Sequence, residues 1–208
     1  MRSLHRPLAV AAALVGFGCS SPSRDPERAY LFQKGPYQAV YGPDGRILRL
    51  LYDGNGDRRA DVVTVFGPRG KPERVELDTD LDGTVDRWES YGPGGALERV
   101  GMSRRRRGAP DVWERFDAKG AVIARELDED GDGRAERVES FSAGRLGRVS
   151  VDTDRDGRMD RWQTWSAGRL VREELDVDGD ERPDRRLDYD AAGQVRGVVV
   201  LNEPSADR

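Results

Sequence analysis

A nine-residue acidic pattern recurs along this chain at a nearly fixed interval, and it constrains the fold more than any other feature. Asp78-x-Asp80-x-Asp82-Gly83-x-x-Asp86 has copies at Asp53, Asn55, Asp57 and Asp61, at Asp128, Asp130, Asp132 and Glu136, at Asp152, Asp154, Asp156 and Asp160, and at Asp176, Asp178, Asp180 and Asp184. A sixth stretch, Ser103 to Asp111, keeps the spacing without the acids, so the copies start at 53, 78, 103, 128, 152 and 176. Intervals of 24 or 25 residues mark a repeat architecture, in which each unit buries its surface only against its neighbours. Four carboxylates within nine residues repel one another unless a cation lies among them. Oxygen ligands at positions 1, 3 and 5 around a turn glycine suit Ca²⁺, giving up to five sites. Gly83, Gly133 and Gly157 occupy position 6, so the loops at 78–86, 128–136 and 152–160 are expected to bind most strongly. Arg58 and Glu181 stand there in the first and last loops, at a cost in affinity if that position needs a positive φ.

Each loop leads into a short extended stretch, as in Asp61–Phe66, Asp86–Tyr91 and Asp160–Trp165, rich in aromatic and β-branched residues and bounded by glycine. Position 14 is aromatic in every copy (Phe66, Tyr91, Phe116, Phe141, Trp165, Tyr189), with Tyr41 the same column of a partial leading repeat. Position 11 carries Trp88, Trp113 and Trp162 in three copies. Tight turns closed by glycine follow, such as Gly67-Pro68-Arg69-Gly70 and Ser142-Ala143-Gly144, and then a return strand runs into the next loop. The expectation is an all-β fold: tandem β-hairpin repeats of 24–25 residues forming an elongated antiparallel meander of about 13 strands. Acidic loops would line one edge and glycine turns the other, with a closed barrel as the alternative. Positions 11 and 14 fall on opposite faces of a strand. Their rings serve either as cross-strand ladders or as platforms for stacking sugar rings, which makes Trp88, Trp113, Trp162 and Trp165 candidate ligand-stacking residues.

Composition narrows the chemistry. His5 is the single histidine and Cys19 the single cysteine; histidine-based acid–base catalysis, Ser-His-Asp and Cys-His sites and His/Cys zinc centres are therefore excluded from the body of the chain. A carboxylate pair of glycosidase type is what remains as enzyme chemistry. The chain has 35 Lys+Arg against 39 Asp+Glu; nineteen of those acids sit at loop ligand positions, so the net negative charge belongs to the ion sites and not to a nucleic-acid partner or its mimic. Leu, Ile, Val and Phe make up 37 of the 190 residues after position 18, just under the roughly 20% at which chains tend towards disorder. So thin a core calls for staples, and the loops are the candidates.

The first residues read as an export signal. Arg2 and Arg6 precede an apolar run, Leu8 to Phe17, that is too short to span a membrane, and Gly18-Cys19-Ser20-Ser21 follows. Cys19 stands where a bacterial lipoprotein signal places its lipidated cysteine, although Gly16 replaces the usual leucine three residues before it. The expected organisation is a lipoprotein signal peptide at 1–18, a flexible tether at 19–29, the repeat domain at 30–201 and a disordered tail at 202–208. Ser20 after the cysteine resembles the lipoproteins of enteric bacteria that are retained in the outer membrane.

The loops resemble two calcium families over about nine residues of each repeat. Asp78, Asp80, Asp82 and Gly83 look like the start of an EF-hand loop, but the bidentate glutamate which that family needs at position 12 is present only as Glu89 and Glu139, against Thr64, Gln163 and Leu187 elsewhere. An acid at position 9 in all five loops (Asp61, Asp86, Glu136, Asp160, Asp184) instead resembles the strand-connecting loops of integrin alpha-subunit propellers and thrombospondin type 3 repeats. That resemblance implies side-chain ligands at positions 1, 3, 5 and 9 plus a backbone carbonyl at position 7. Tyr41-Gly42-Pro43-Asp44-Gly45-Arg46-Ile47 is similar to bacterial YD-repeat hairpins, which implies hairpins and no activity.

Together these features lead us to expect a non-catalytic, calcium-binding cell-envelope lipoprotein, held by its N-terminal lipid, in all expectation on the outer membrane of a Gram-negative bacterium, and acting as a spacer or interaction surface for an envelope protein or polysaccharide. A carbohydrate-binding surface protein is the second expectation and a glycoside hydrolase the third. In the degenerate loop, Arg105 and Arg107 stand at positions 3 and 5. They are expected to replace the missing ion by bridging to carboxylates of the neighbouring loops.

Overall fold

The computed structural model describes residues 29–105 and 108–202. Its strands are β1 (Tyr30–Lys34), β2 (Tyr37–Tyr41), β3 (Ile47–Tyr52), β4 (Val62–Phe66), β5 (Pro72–Leu77), β6 (Arg87–Tyr91), β7 (Leu97–Met102) and β8 (Val112–Phe116). They continue as β9 (Val122–Leu127), β10 (Arg137–Ser142), β11 (Arg145–Val151), β12 (Arg161–Ser166), β13 (Arg169–Leu175), β14 (Arg185–Tyr189) and β15 (Val195–Val200). All fifteen lie in one antiparallel sheet in strict chain order, and among the described residues each pairs only with its sequence neighbours. β15 does not return to β1, so the meander is open and not a barrel. At the usual strand spacing it measures roughly 65 Å across.

Two strands exceed the thirteen expected. Tyr30–Lys34 pairs with Tyr37–Tyr41 in full register around Gly35, whose φ is 57°. A two-residue glycine turn stands here in place of an acidic loop, so the repeat signature is absent while the hairpin is present. Tyr30 stacks on Tyr41 with ring centroids 5.0 Å apart.

The seven hairpins from β2–β3 to β14–β15 that are closed on the edge opposite the acidic loops each carry one irregularity at the same place. Val65 pairs with Arg74 but Phe66 pairs with Pro72, leaving Glu73 as an extra residue on the return strand; Leu48, Glu98, Ile123, Gly147, Val171 and Arg196 are its counterparts. Such bulges increase local twist. They sit on the return strands, so alternation along the outgoing strands is undisturbed and positions 12 and 14 share one face, with positions 11 and 13 on the other.

The core is one side chain deep. Among the described residues the buried apolar ones are Ala39, Val63, Val100, Val112, Ala124 and Val149, all on strands with a neighbour on either side. Cover comes from charged side chains whose stems lie along the sheet. On one face Arg125 bridges Glu114 at 2.7 Å and Glu139 at 3.5 Å, and Arg137 also reaches Glu139 at 2.8 Å. The other face carries Arg99–Glu126 at 3.1 Å and Arg172–Asp188 at 3.1 Å. Half-exposed pairs of this kind contribute about 0–1 kcal/mol each, so the backbone ladder and the loops hold most of the structure.

Candidate metal centres

The five acidic loops share a hydrogen-bond scheme that follows from their spacing. The position-1 carboxylate accepts the backbone N–H of position 6: Asp78 from Gly83 at 2.7 Å, Asp128 from Gly133 at 2.9 Å, Asp152 from Gly157 at 2.8 Å, Asp53 from Arg58 at 3.0 Å and Asp176 from Glu181 at 2.8 Å. Position 5 accepts from position 7, as Asp82 does from Thr84 at 2.8 Å. Position 9, at the foot of the following strand, accepts from position 2: Asp61 from Gly54, Asp86 from Thr79, Glu136 from Glu129, Asp160 from Thr153 and Asp184 from Val177. Each loop therefore closes on its own carboxylates, and the acids at its two ends are drawn inward.

Burial follows the same division. Asp61, Asp78, Asp128, Glu136, Asp152 and Asp184 are buried, Asp184 to 1% exposure. Carboxylate oxygens converge in four places: Asp128, Asp130, Asp132 and Glu136; Asp78, Asp80 and Asp86; Asp152, Asp154 and Asp160; and Asp176, Asp178 and Asp184, each set within 4.8 Å of one another. Only at 128–136 does the position-5 acid join; Asp82, Asp156 and Asp180 stand outside their groups. In the first loop Asn55 replaces an acid, and Asp53, Asp57 and Asp61 do not form such a group among the described residues. Repeated acidic groups able to hold a metal ion are thus present in the hairpin array.

Position 12 points elsewhere. Glu89 accepts from Arg87 Nε at 2.7 Å and from the Tyr91 hydroxyl, and Glu139 from Arg137, both on the open face of the strands. Burial, then the Glu89 hydrogen bond and charge, push the Tyr91 phenol up to about 12. Tyr189, donating to Glu173 at 3.0 Å, is raised for the same reasons.

The backbone modifies the expected ranking of the loops. Position 6 does take positive φ in every copy, including Arg58 at 72° and Glu181 at 68°. Position 4 takes it too: Gly56 at 79°, Leu81 at 60°, Gly131 at 88°, Arg155 at 64° and Gly179 at 75°. Strain of this kind falls on any residue with a Cβ. The loops at 53 and 176 have their glycine at position 4, those at 78 and 152 at position 6, and only the loop at 128 has both. Strain alone therefore separates one loop from the other four, where glycine at position 6 separated three from two.

Neighbouring loops touch through position 7. The Arg59 guanidinium lies against Gly83 and the Arg134 guanidinium against Gly157, in the space a Cβ there would fill, and Thr84 packs against Gly108. Where position 6 is Glu181 the same contact becomes an ion pair, Arg158 Nη1 to Glu181 Oε1 at 3.4 Å. The arginine repeated at position 7 (Arg59, Arg134, Arg158, Arg182) is the one trace of this edge-to-edge stacking in the sequence.

The degenerate loop behaves differently from expectation. Arg104 donates to Asp111 through its backbone N–H at 3.0 Å and its Nε at 3.3 Å, and Arg105 Nε stands 3.8 Å from Asp111 Oδ2. Among the described residues the bridges run within the loop, from positions 2 and 3 to the buried position-9 acid, and Arg105 reaches no carboxylate of the loops on either side. Asp111 keeps the inward position of its counterparts, so guanidinium groups close to it are the nearest source of positive charge. Arg107 lies outside the described residues.

Cys19, the signal segment and the tether up to residue 28, and the tail from residue 203, also lie outside the described residues. Of the tryptophans, Trp88, Trp113 and Trp162 share one face while Trp165 is on the other, so the four do not make one platform. All are half-buried. Trp113 is already engaged: Arg99 lies 3.8 Å over its ring, and the ring covers Gly101, where a Cβ would come within 2.7 Å of it.

No protein-family model and no curated protein matches this chain. Among solved structures, TarM of S. aureus matches with a TM-score of 0.38 at 11% identity over 48% of this chain and 19% of that one. A structure of accessory secretory proteins 1, 2 and 3 of Streptococcus pneumoniae matches with a TM-score of 0.36 at 14% identity, over 60% of this chain and 20% of that one. The chain thus spans about a fifth of the length of the proteins it matches.

Proposed function

We propose that this chain is a calcium-binding, non-catalytic lipoprotein of the cell envelope, anchored through Cys19, whose ion-filled loops stiffen a single-layer sheet into a spacer or interaction surface. One observation carries the proposal: carboxylates converge at four places along one edge of a sheet that has almost no apolar core. Like charges so placed oppose folding when bare and support it when a divalent cation joins them. Carboxylate-rich sets of this type suit a hard cation such as Ca²⁺. The acids at positions 1, 3 and 9 would hold it, joined at 128–136 by Asp132, with the outer membrane of a Gram-negative bacterium as the proposed location. Sites with a Kd of about 0.1 mM in about 1 mM calcium would each add roughly 1.4 kcal/mol to stability. Calcium is therefore expected to raise the melting temperature strongly and excess EDTA to collapse it; an unchanged melting temperature in EDTA refutes the staple. Labelling of cells with a fatty-acid analogue tests the anchor, wild type being labelled and Cys19→Ser not. Trp88 and Trp162, half-buried on a common face, support the second proposal, a carbohydrate surface. Glycan binding lost in Trp88→Ala with the fold intact would favour it.

A further inference from the structure

The last strand is as poor in charge as β3, which lies inside the sheet, but it stands at an edge. β5, β7, β9, β11 and β13 each carry at least two charged residues, whereas β15, Val-Arg-Gly-Val-Val-Val, carries only Arg196, the bulge residue. Its apolar side chains are exposed: Val198 to 61%, Val200 to 59%, Val195 to 48% and Val199 to 37%. Its inner edge pairs with β14, and its outer edge faces no strand among the described residues. Proteins blunt such edges with charge, proline, bulges or cover; among the described residues β15 has Arg196 at its bulge alone, with no proline and no covering strand.

We infer that β15 is an interaction surface for a second copy of this chain, pairing with its own counterpart about a two-fold axis perpendicular to the sheet. Strand parity selects this partner. With fifteen strands in strict alternation, β1 and β15 run in the same direction, so a head-to-tail contact on one continuous face joins parallel strands, the slightly weaker arrangement. The two-fold contact of β15 with β15 is antiparallel, keeps each face continuous across the junction and closes after two copies, as isologous interfaces do. The charges agree. In a register centred on Gly197 or on Val198, Arg196 faces a valine of the other copy, so no like charges stand opposite one another. β1 is the poorer edge: it ends in Lys34 and its exposed apolar residues are Leu31 and Phe32 alone. This inference goes beyond the calcium proposal and does not depend on filled loops.

The test is the mass in solution of the full chain, purified without its lipid, by light scattering. Wild type is expected at the mass of two copies, Val198→Glu with Val200→Glu at the mass of one, and Leu31→Glu with Phe32→Glu still at two, all with unchanged circular dichroism. A second measurement covers a misfolded variant: Gly197→Cys, Val198→Cys and Val199→Cys are scanned for disulfide-linked dimers absent from wild type, and at least one is expected to cross-link. A monomeric wild type, growth beyond two copies, dissociation by the β1 variant alone, or no cross-link in the scan overturns the inference.

Discussion

Glu136→Gln should stabilise the protein, and by more without calcium than with it. Glu136 is 4% exposed, and its oxygen lies within 4.8 Å of those of Asp128, Asp130 and Asp132. At that distance two unit charges repel by about 3.5 kcal/mol at an effective dielectric of 20. Asp130 and Asp132 are exposed and their charges are screened, so about 1 kcal/mol per pair is a fair working value. Neutralising one of four acids removes three of the six pairs, or about 3 kcal/mol of repulsion in the empty loop. The amide oxygen of glutamine still accepts the Glu129 N–H, so the loop closure survives. With calcium the gain shrinks, because a charged ligand is lost: with a Kd of about 0.1 mM in about 1 mM calcium wild type gains roughly 1.4 kcal/mol from the ion, a variant binding tenfold more weakly gains about 0.4, and about 2 kcal/mol of the difference remains. Urea unfolding of both proteins in excess EDTA and in millimolar calcium reads the two numbers directly. A difference of the same sign and size in both buffers would refute a cation among these carboxylates.

Gly133→Ala should cost about 1–2 kcal/mol in a urea melt, from its φ of 92° with open space around the new methyl. Gly157→Ala, with φ 91° and the Arg134 guanidinium in the way, should cost only slightly more, since that flexible end can move; a much larger loss would mean that the loop-to-loop contact is rigid. Replacing Arg104 and Arg105 with Gln removes the two guanidinium groups that reach the buried Asp111 carboxylate and should cost about 1–3 kcal/mol, most of it recovered by adding Asp111→Asn; no loss at all would make the arginines a surface patch. The Tyr91 phenol ionises near 10.0 in the unfolded chain and about 12 in the folded one, so the folded state resists its charging and stability should fall as pH rises through that window. Tyr91→Phe should flatten that fall in a series of alkaline melts.

Turn chemistry and spacing in the sequence by themselves determined the loops, the strands that flank them and their antiparallel order, because each is settled within one repeat. A glycine at Gly70 or Gly120 and a β-branched or aromatic run before it define a hairpin wherever it occurs in the chain. The acids at positions 1 and 9 were legible for the same reason: nine residues around a tight turn bring their ends together. Tertiary structure decided what depends on more than one repeat. Accumulated twist left the sheet open; it could equally have closed in a pattern of the same period. The β1–β2 hairpin lacks an acidic loop, and pairing with β3 is what places it in the sheet. Positive φ at Leu81 and Arg155 follows from closing the loop on the position-1 carboxylate, a constraint that residue type does not display. Convergence of Asp132 and the separation of Asp82, Asp156 and Asp180 depend on side-chain direction. The inward turn of Arg104 and Arg105 depends on a buried carboxylate, Asp111, which no longer shares its loop with other acids and therefore draws in the nearest guanidinium groups.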